Sequence, residues 1–377
     1  MTEIYVIRHV QAEGNLYRLM QGHWDGDVTL LGEKQRDALS LRFRDIPVDA
    51  VYSSDLYRAR FTASAVTRFH DLPVRCDRRL REINVGPWEG VPFANILYEQ
   101  AELMDTFMHD SANFRLAGAE TFGDVQARVT EALQEIAEAN PGRTVVITSH
   151  GVAIRCMLTK LLGVPLNDRE TVPIFHNTGI SHLRYENGRF TVDTIDDASH
   201  LPPELKQSPA AVTALRHVCV DPGQHRALYE RCYADSWTAA HGDLRGFEPE
   251  PYFRAAREHY RRDPESVYLL YDGDSFAGLI DLDTARGEHA GYGWVSLLYL
   301  CPEYRGQGLG VQLLGRAVTK YRALGRRSLR LYAAEDNTAA LAFYRAHGFT
   351  ELSRAPGAIG ELVLMEKQIG SHRHETV

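Results

Sequence analysis

The sequence predicts an α/β protein of two domains, the first built on a mainly parallel sheet flanked by helices and the second a mixed α+β domain. Three observations support this prediction. The chain has 377 residues, which is about the length of two ordinary domains. Strand-like and helix-like segments alternate through roughly the first 200 residues, as in parallel sheets covered by helices on both faces. Residues 198–211 then interrupt the pattern with three prolines, which predicts a linker between domains at residues 1–197 and 212–369.

The elements of the first domain follow from the spacing of its apolar residues. Three short β-rich runs that end in polar residues predict strands, namely EIYVIRH (3–9), VDAVYSSD (48–55) and RTVVITSH (143–150). Apolar residues at helical spacing predict three helices, at 31–45, 57–70 and 121–140. Residues 180–195 alternate in polarity around Asn187-Gly188, which predicts a β-hairpin.

The pattern restarts after the linker with elements of the second domain. Strands are predicted near 214–220, 294–300 and 328–334, with a strand pair across 266–283. Asp272-Gly273 marks the turn within that pair. Helices are predicted at 225–240, from about Leu309, and through 338–348.

Composition limits the functional classes. A net charge of −8 argues against a broad nucleic-acid-binding face, which needs excess Lys and Arg. Five cysteines without a C-x-x-C pair fit neither a disulfide framework nor a zinc site, and indicate a reducing compartment. No run approaches the ~20 apolar residues of a membrane span, and the start MTEIYVIRH lacks the basic region of a signal peptide. We therefore expect a cytoplasmic protein without a nucleic-acid or membrane partner. The sequence does not indicate an oligomeric state.

Residues able to hold an anion follow three of the predicted strands in the first domain. Arg8-His9 ends the first, Ser53-Ser54-Asp55 with Arg58 follows the second, and Ser149-His150-Gly151 ends the third. Ligands bind at the carboxyl ends of strands in open α/β sheets, so we expect Arg8, His9, Arg58 and His150 to converge if these strands are neighbours. Two arginines bind phosphate oxygens in a forked geometry, and histidines beside them indicate phosphoryl chemistry.

Phosphoryl transfer at such a site needs a nucleophile and a proton donor. A neutral imidazole nitrogen attacks phosphorus when its ring is oriented and the phosphate charge is neutralised. The leaving alcohol then needs a proton, which a carboxylic acid supplies best. The segment RLREINVGPWEG offers Glu82 and Glu89, and Glu82 precedes a glycine-containing loop able to fold over the pocket.

Four sequence blocks carry a family resemblance. IRHVQAEGN resembles the R-H-G motif of the histidine phosphatase (phosphoglycerate mutase-like) superfamily, and SSDLYRARFTA, LREINVGPWEG and VVITSHGVAIR resemble its further blocks in the same order. The resemblance covers about residues 1–196 and implies the phosphoglycerate mutase-like fold. It implies His9 as the nucleophile that becomes phosphohistidine, and Glu82 as the proton donor. The implied phosphate contacts are Arg8, Arg58 and His150, with Asn15 as a secondary contact.

Three positions depart from the family pattern. Val10 and Gln11 stand where the family has Gly and commonly Glu, and Val28 stands in place of a usual proline. A β-branched Val10 does not adopt unusual backbone angles cheaply. Either its φ is ordinary, or the loop is displaced and activity is reduced.

The segment between Gly90 and Gly118 bears on the choice between phosphatase and mutase. A mutase must hold a second anionic group of its substrate, but this segment has one arginine, Arg115, and four acidic residues. Hydrolysis of a small phosphorylated metabolite is therefore the favoured prediction, and a phosphoglycerate mutase-type domain is the alternative. A second alternative, supported by Val10, is an impaired domain that binds a phosphorylated ligand and regulates the other domain.

A second candidate site lies in the second domain. Residues 299–310 read YLCPEYRGQGLG, where Arg305, Gly308 and Gly310 fit R-x-x-G-x-G at a strand-to-helix turn. Glycines allow close approach of the main chain, and the helix N-terminus offers free N–H groups to a pyrophosphate. No Gly-Lys-Ser/Thr follows, so the loop is not a Walker loop.

With the downstream LYAAEDNTAALAFYRAHGF, this pattern resembles the GNAT N-acetyltransferases over about residues 215–367. The resemblance implies acetyl-CoA as cofactor and an amine as acceptor. The implied cofactor-binding residues are Leu298 and Leu300 through their main chain, the loop amides of Arg305, Gly306, Gln307, Gly308 and Gly310, and the side chains of Asn337 and Tyr344. Tyr344 is also the implied proton donor to the departing thiolate, although packing in the core is an alternative role for it.

The proton acceptor of the acetyl transfer stays open among Asp281, Asp283 and water. Acceptor specificity is expected from residues 217–260. The chain as a whole is predicted to be a bifunctional enzyme, and no metal is expected, since no Asp/His cluster has metal-ligand spacing.

Overall fold

The computed structural model describes residues 1–173, 175–206 and 213–370. These residues divide into two compact units, with 1–91 and 96–206 in the first and 92–95 and 213–370 in the second. In these described ranges, no helix is long and apolar enough to cross a membrane.

Up to residue 206, the described chain alternates strands and helices as predicted. The strands are β1 (Thr2–Arg8), β2 (Ala50–Ser53), β3 (Val74–Cys76), β4 (Thr144–Ser149), β5 (Ile180–Glu186) and β6 (Arg189–Asp197). The helices are α1 (Glu13–Tyr17), α2 (Leu30–Phe43), α3 (Tyr57–Thr67), α4 (Phe93–Glu99), α5 (Ala101–His109), α6 (Phe122–Glu138) and α7 (Gly151–Leu162). The three predicted strands, the three predicted helices and the hairpin are confirmed, whereas β3, α1, α4, α5 and α7 were not predicted.

The first sheet has the strand order β3-β2-β4-β1-β5-β6. Its first four strands run parallel, and only β5 and β6 are antiparallel to their neighbours, so the mainly parallel sheet is confirmed. In the register, Arg8 lies opposite Ser149 and Ser53 lies opposite Thr148. The carboxyl ends of β1, β4 and β2 therefore meet at one edge of the sheet, which brings the three predicted anion-binding segments together.

Apolar strands and helices fix that edge. β1, β2 and β4 bury aliphatic side chains against α2 and α3. One cluster consists of Ile7, Leu39, Phe43, Val51, Ala63, Ala65, Val66, Val146 and Ile180. Burial of this many side chains, at about 25 cal/mol per Å² of apolar surface, holds the strand ends in register.

From residue 213 on, a second sheet forms with the order β12-β13-β11-β10-β9-β8-β7. The strands are β7 (Arg216–Cys219), β8 (Val267–Asp272), β9 (Ser275–Asp283), β10 (Tyr292–Leu300), β11 (Ser328–Ala334), β12 (Thr350–Pro356) and β13 (Glu361–Gln368). The helices are α8 (Arg226–His241), α9 (Pro249–Arg262), α10 (Gly310–Ala323) and α11 (Thr338–Ala346). The predicted elements are confirmed, while α9, β12 and β13 were not predicted.

The centre of the second sheet is irregular at β10. Its parallel pairing with β11 covers only Tyr292 to Trp294, although β10 continues to Leu300. Its antiparallel pairing with β9 shifts register between Val295 and Leu297. The two strands therefore diverge beyond Trp294, and the main chain of residues 295–300 is not paired with β11.

Part of the predicted linker is described. Leu201 is buried, a 3₁₀ turn covers Pro203–Leu205, and the Leu205 carbonyl accepts a hydrogen bond of 3.0 Å from Gln35 Nε2. Residues 198–206 thus pack on the first unit, and the rest of the predicted linker, 207–211, lies outside the described residues. The domain bounds at 197 and 212 stay a prediction.

Candidate active sites

His9 follows β1 directly and is held by its main chain. Its N–H donates to the Ser149 carbonyl at 3.0 Å, and its own carbonyl accepts from Asn177 Nδ2 at 2.8 Å. The ring Nδ1 lies 2.6 Å from the Val10 carbonyl. Because a carbonyl only accepts, Nδ1 carries the proton and Nε2 carries the lone pair. Burial, with the nearby charges of Arg58 and Arg8, lowers the pKa of His9 well below its ordinary value, so the ring is neutral at physiological pH.

His150 is the N-cap residue of α7 and lies beside His9. The two ring centroids are 5.1 Å apart, and His150 Nε2 is 2.8 Å from Ser54 Oγ. Its side chain is fully buried, and burial together with the charge of Arg58 lowers its pKa well below the ordinary value. A second neutral imidazole therefore borders His9.

Arg8 is the last residue of β1. Its N–H donates to the Gly179 carbonyl at 3.1 Å, and its own carbonyl accepts from Thr178 N–H at 3.0 Å. Its guanidinium donates through Nη1 to the Phe175 carbonyl. A Cβ placed at Gly151 would lie 3.5 Å from Arg8 Nε and 3.9 Å from Glu82 Oε2. The guanidinium, the proposed proton donor and the N-terminus of α7 are therefore close neighbours.

Arg58 lies in the first turn of α3 and is fully buried. Its Nη2 donates to the Gly22 carbonyl at 2.8 Å, and its Nη1 donates to the Trp24 carbonyl at 3.1 Å. Nη1 also lies 3.4 Å from Asp25 Oδ1. These contacts fix the guanidinium on one side and leave Nε for another partner.

Three nitrogens of this group are buried without a hydrogen-bond partner in the described parts of the chain. They are Arg8 Nε, Arg58 Nε and His150 Nδ1. A buried polar group left unpaired costs about 1–3 kcal/mol. Two guanidinium groups and the neutral imidazoles of His9 and His150 around such nitrogens form a candidate site for a small anion. The structure thus brings together Arg8, His9, Arg58 and His150 as the sequence predicts.

Glu82 lies on the loop between β3 and α4 and reaches the start of α7. Its Oε1 accepts from Ala153 N–H at 3.0 Å and from Ile83 N–H at 3.1 Å, and its Oε2 accepts from Val152 N–H at 3.2 Å. The carboxylate therefore caps the helix N-terminus, where negative charge is stabilised. Glu89, the other carboxylate of the loop, is held differently, because its Oε1 accepts from His23 N–H at 2.8 Å.

Residues that hold this loop were missed from the sequence. Arg128 donates to the carbonyls of Arg79 and Arg81 at 2.7 Å each and to that of Glu82 at 2.9 Å. Glu120 pairs with Arg128 Nε at 2.7 Å. Arg128 and Glu120 lie on and just before α6, and nothing in their sequence context distinguishes them from an ordinary exposed ion pair.

The departures from the family pattern are accommodated locally. Among described non-glycine residues, positive φ occurs at Arg18, Thr178, Asn187 and Asp196 only, so the φ of Val10 is ordinary. The Val10 N–H donates to Thr62 Oγ1 at 2.9 Å.

Gln11 and Val28 belong to the same local structure. Gln11 is buried, its N–H donates to Gln35 Oε1 at 2.8 Å, and its Oε1 accepts from Thr29 Oγ1 at 2.7 Å. Val28 forms a β-bridge with Ala12. The loop after His9 is therefore anchored at each substituted position.

Asn15 and Arg115 have local partners. Asn15 Oδ1 accepts from Ala12 N–H at 3.0 Å and caps α1. Its predicted phosphate contact stays a prediction. Arg115 Nη1 donates to the carbonyls of Ala112 and Phe114 at 2.9 and 2.7 Å, so this guanidinium supports its own loop.

The glycine-rich loop of the second unit lies between β10 and α10. Gly306 and Gly308 have φ values of 74° and 75°, a region that favours glycine, and a Cβ at either would meet nothing within 4 Å. The loop residues Arg305 to Gly308 are exposed. Arg305 Nε donates to the Leu300 carbonyl at 2.8 Å and Gln307 Nε2 donates to the Glu303 carbonyl at 2.6 Å. The loop is therefore open toward solvent at the start of α10, which begins at Gly310.

The other predicted cofactor-binding residues lie on β10 and at or on α11. Leu298 and Leu300 lie on the part of β10 that is not paired with β11. Asn337 caps α11 by accepting from Ala340 N–H at 3.1 Å. Tyr344, also on α11, is half-buried, and burial raises the pKa of its hydroxyl to about 12. It therefore holds its proton at neutral pH.

The two candidate carboxylates on β9 form a buried charge cluster. Asp281 accepts from Tyr229 OH and from His259 Nδ1, the latter at 2.7 Å. His259 Nε2 lies 3.5 Å from Asp283 Oδ2. Burial lowers the pKa of His259, but the hydrogen bonds and charges of Asp281 and Asp283 outweigh it and raise the pKa to about 9. Burial likewise opposes ionisation of Asp283, yet His259 and two main-chain N–H groups lower its pKa to about 2.

Comparison with known families assigns a family to each of the two parts of the chain. Residues 4–198, just over half of the chain, match the family model of the histidine phosphatase superfamily (branch 1). The chain belongs to the histidine phosphatase superfamily. Residues 212–349 match the acetyltransferase (GNAT) family, so the chain carries a GNAT domain as well. Both predicted family resemblances and the fold class are confirmed.

Individual relatives resemble the histidine phosphatase domain. The probable phosphoglycerate mutase GpmB of Salmonella choleraesuis (strain SC-B67) is 28% identical over 206 residues, which covers 53% of this chain and 95% of that protein. YhfR of Bacillus stearothermophilus is 32% identical with a TM-score of 0.52, covering 53% of this chain and 99% of that one. The structure named Mycobacterial hydrolase 2 is 26% identical with a TM-score of 0.50, covering 54% and 94%.

Both domains thus belong to enzyme families. Within the described residues, no group of three or more His, Cys, Asp or Glu side chains is arranged to hold a metal ion. Metal independence stays a prediction.

Proposed function

We propose that the histidine phosphatase domain hydrolyses phosphomonoesters of a small metabolite through a phosphohistidine at His9. The observation that supports this most directly is the group of unpaired nitrogens on Arg8, Arg58 and His150 beside a neutral His9. A phosphoryl group supplies acceptor oxygens for all three. The same arrangement neutralises the charge that repels a nucleophile from phosphorus.

The proposed reaction uses the lone pair on His9 Nε2. Nε2 forms a bond to phosphorus while the bond from phosphorus to the ester oxygen breaks. Nδ1–H remains hydrogen-bonded to the Val10 carbonyl and keeps the ring oriented. Glu82 gives a proton to the leaving oxygen. In the second step a water molecule attacks phosphorus, Glu82 takes a proton from it, and the bond to Nε2 breaks. Inorganic phosphate leaves and both groups return to their first state.

Trapping the phosphoenzyme tests the nucleophile. A ³²P-labelled substrate quenched rapidly at high pH should leave label on the peptide that contains His9, because phosphohistidine is stable in base and labile in acid. His9→Ala should lose both label and turnover. Label on another peptide, or turnover retained by His9→Ala, would contradict the assignment.

Leaving-group dependence tests the proton donor. Glu82→Gln should slow esters of poor alkyl leaving groups by about 10²–10⁴ and affect nitrophenyl phosphate much less, because nitrophenolate departs without a proton. Glu89→Gln is the matched control, since Glu89 lies on the same loop but is held by His23. If only Glu89→Gln shows the split between the two esters, Glu89 is the donor instead.

The name of the GpmB relative favours phosphoglycerate mutation as a second candidate. The local contacts of Arg115 argue against it, because a mutase needs cations for the second anionic group of its substrate. Incubation with 3-phosphoglycerate should release phosphate without forming an isomer. A purely regulatory domain, supported by Val10, is the remaining alternative, and the ordinary φ of Val10 argues against a displaced loop. Turnover of nitrophenyl phosphate would exclude it.

We also propose that the GNAT domain transfers an acetyl group from acetyl-CoA to an amine. Acetyl-CoA, when bound, supplies an acetyl group activated as a thioester. The open loop with Gly306 and Gly308 at the start of α10 fits a pyrophosphate, and the unpaired edge of β10 fits the extended arm of the cofactor. Tyr344, protonated at neutral pH, gives its proton to the thiolate. Isothermal titration with acetyl-CoA tests binding, and thiol release with a panel of amines tests transfer.

A further inference from the structure

One short segment contacts both the phosphate-binding Arg58 and the loop of Glu82. Residues 22–25, here called the 22–25 strap, lie between α1 and α2. The strap supplies the acceptors of Arg58, namely the Gly22 and Trp24 carbonyls and the Asp25 carboxylate. Asp25 Oδ2 also accepts from Tyr57 N–H at 2.7 Å. The position of the Arg58 guanidinium is therefore set by the strap.

His23, within the same strap, points to the other loop. Its ring Nε2 lies 2.9 Å from the Glu82 carbonyl, and its N–H donates to Glu89 Oε1 at 2.8 Å. Because the carbonyl only accepts, His23 Nε2 carries a proton and donates it to this hydrogen bond. His23 is thus a direct link between the partners of Arg58 and the main chain of Glu82.

The strap and the loop are packed too closely to shift independently. Gly22 has a φ of 48°, and a Cβ there would lie 2.6 Å from Glu89 Oε1 and 3.0 Å from the Ile83 carbonyl. Gly90 has a φ of 73° and lies against the Trp24 ring. A Cβ placed at Gly90 would lie 3.0 Å from Trp24 Cδ1. A displacement of the strap by a bound phosphate would therefore be passed to Glu82.

The loop does not depend on His23 for its fold. Arg128 Nη2 donates to the same Glu82 carbonyl at 2.9 Å, and Arg128 holds two further carbonyls of that loop. Removing the His23 ring nitrogen therefore leaves the loop anchored and removes only the hydrogen bond from the strap to the Glu82 carbonyl. Loss of the His23 ring nitrogen should therefore affect the position of Glu82 and not the folding of the loop.

We propose that His23 is a positioning residue that couples phosphate capture by Arg58 to the placement of the proton donor Glu82. This inference rests on the proposed phosphatase function. When phosphate draws Arg58 and the strap into place, His23 fixes the main chain of Glu82 so that its carboxyl group reaches the leaving oxygen. Without His23, phosphate still binds and His9 still attacks, but protonation of the leaving group becomes less efficient.

The consequence is selective for the leaving group. Misplacing a catalytic group by about 1 Å costs up to about 10²-fold in rate. We expect His23→Phe to lower kcat/KM for an alkyl phosphate such as glycerol 2-phosphate by about 10- to 100-fold, and to change that for nitrophenyl phosphate by less than about threefold. The inhibition constant of inorganic phosphate should stay within about twofold, because Arg8, Arg58 and His150 are intact.

The test compares three variants of the full chain on both esters. His23→Gln keeps an N–H donor and should recover most of the alkyl phosphate rate. His70→Phe is the matched control, because His70 Nε2 makes the same kind of contact to the Phe43 carbonyl at 2.9 Å. It should leave the ratio of the two rates unchanged. Circular dichroism and phosphate inhibition show whether each variant is folded.

The outcomes separate this inference from the function on which it rests. If the unmodified chain turns over both esters and His23→Phe slows them equally, or slows neither, the positioning role of His23 is wrong and the phosphatase assignment stands. If His23→Phe fails to fold, His23→Gln and His23→Asn decide through the same rate ratio. If the unmodified chain turns over neither ester, the proposed function fails first.

Discussion

The charge cluster around His259 predicts how the stability of the GNAT domain depends on pH. His259 is nine-tenths buried between Asp281 and Asp283, and its pKa is raised from 6.5 to about 9. A group whose pKa is raised on folding stabilises the folded state fully below its unfolded pKa, and this stability is lost as the pH rises through the folded pKa. The GNAT domain should therefore lose stability between about pH 6.5 and pH 9.

The size of the effect follows from the shift. A displacement of one pKa unit corresponds to about 1.4 kcal/mol, so the shift to about 9 is worth about 3 kcal/mol below pH 6. By the same linkage relation, about 1 kcal/mol remains at pH 8 and almost none above pH 10. The lowered pKa of Asp283 arises in part from the same interaction with His259, so its free energy is not added to this value.

Pulse proteolysis in urea measures this on the full chain. Fragments are assigned by mass spectrometry to residues before 206 or after 213, so the unfolding of each unit is followed separately between pH 6 and pH 10. His259→Gln should flatten the pH dependence of the GNAT domain, and the exposed His289→Gln should leave it unchanged. A decline of the same size in His259→Gln would show that other groups cause the pH dependence and would refute this reasoning.

Three further predictions concern binding, metal and domain independence. Gly308→Val should weaken acetyl-CoA binding by at least about tenfold, because its φ of 75° strains a β-branched residue, while phosphatase turnover stays unchanged; equal affinity by calorimetry would remove the loop from the site. EDTA should leave phosphatase turnover intact, since the guanidinium groups of Arg8 and Arg58 neutralise the phosphate, and a loss that Mg²⁺ or Zn²⁺ restores would contradict this. Residues 1–206 and 207–377, expressed separately, should each fold, because each is long enough for its own core; insoluble halves beside a soluble full chain would count against it.

The residues of the candidate anion site could be predicted because their position in the sheet follows from their position in the sequence. Arg8-His9 and His150 each follow a buried strand, and parallel pairing brings strand ends to one edge. Residue type then indicates the chemistry. The glycine-rich loop before α10 could be predicted from residue type as well, because the positive φ values of Gly306 and Gly308 favour glycine.

The contacts that orient the site could not be predicted in this way. Arg58 is held by the Gly22 and Trp24 carbonyls, Arg8 by the Phe175 carbonyl and His9 by the Val10 carbonyl. Every residue has a carbonyl group, so these contacts leave no mark on residue type. They depend on loop paths that only tertiary packing determines.

The choice of proton acceptor for the proposed acetyl transfer depends on α9, a helix that the sequence did not predict. The sequence offers Asp281 and Asp283 as bases, but their partner His259 lies on α9, which the highly charged segment 249–262 did not predict. With that helix in place, Asp281 is already bonded to an imidazolium and a tyrosine hydroxyl. The lowered pKa of Asp283 makes it a weak base. Of the three acceptors open from the sequence, water is therefore the one that these contacts favour. We expect Asp281→Asn to lower the free energy of unfolding of the GNAT domain strongly and to change the pH dependence of the acetyl-transfer rate little.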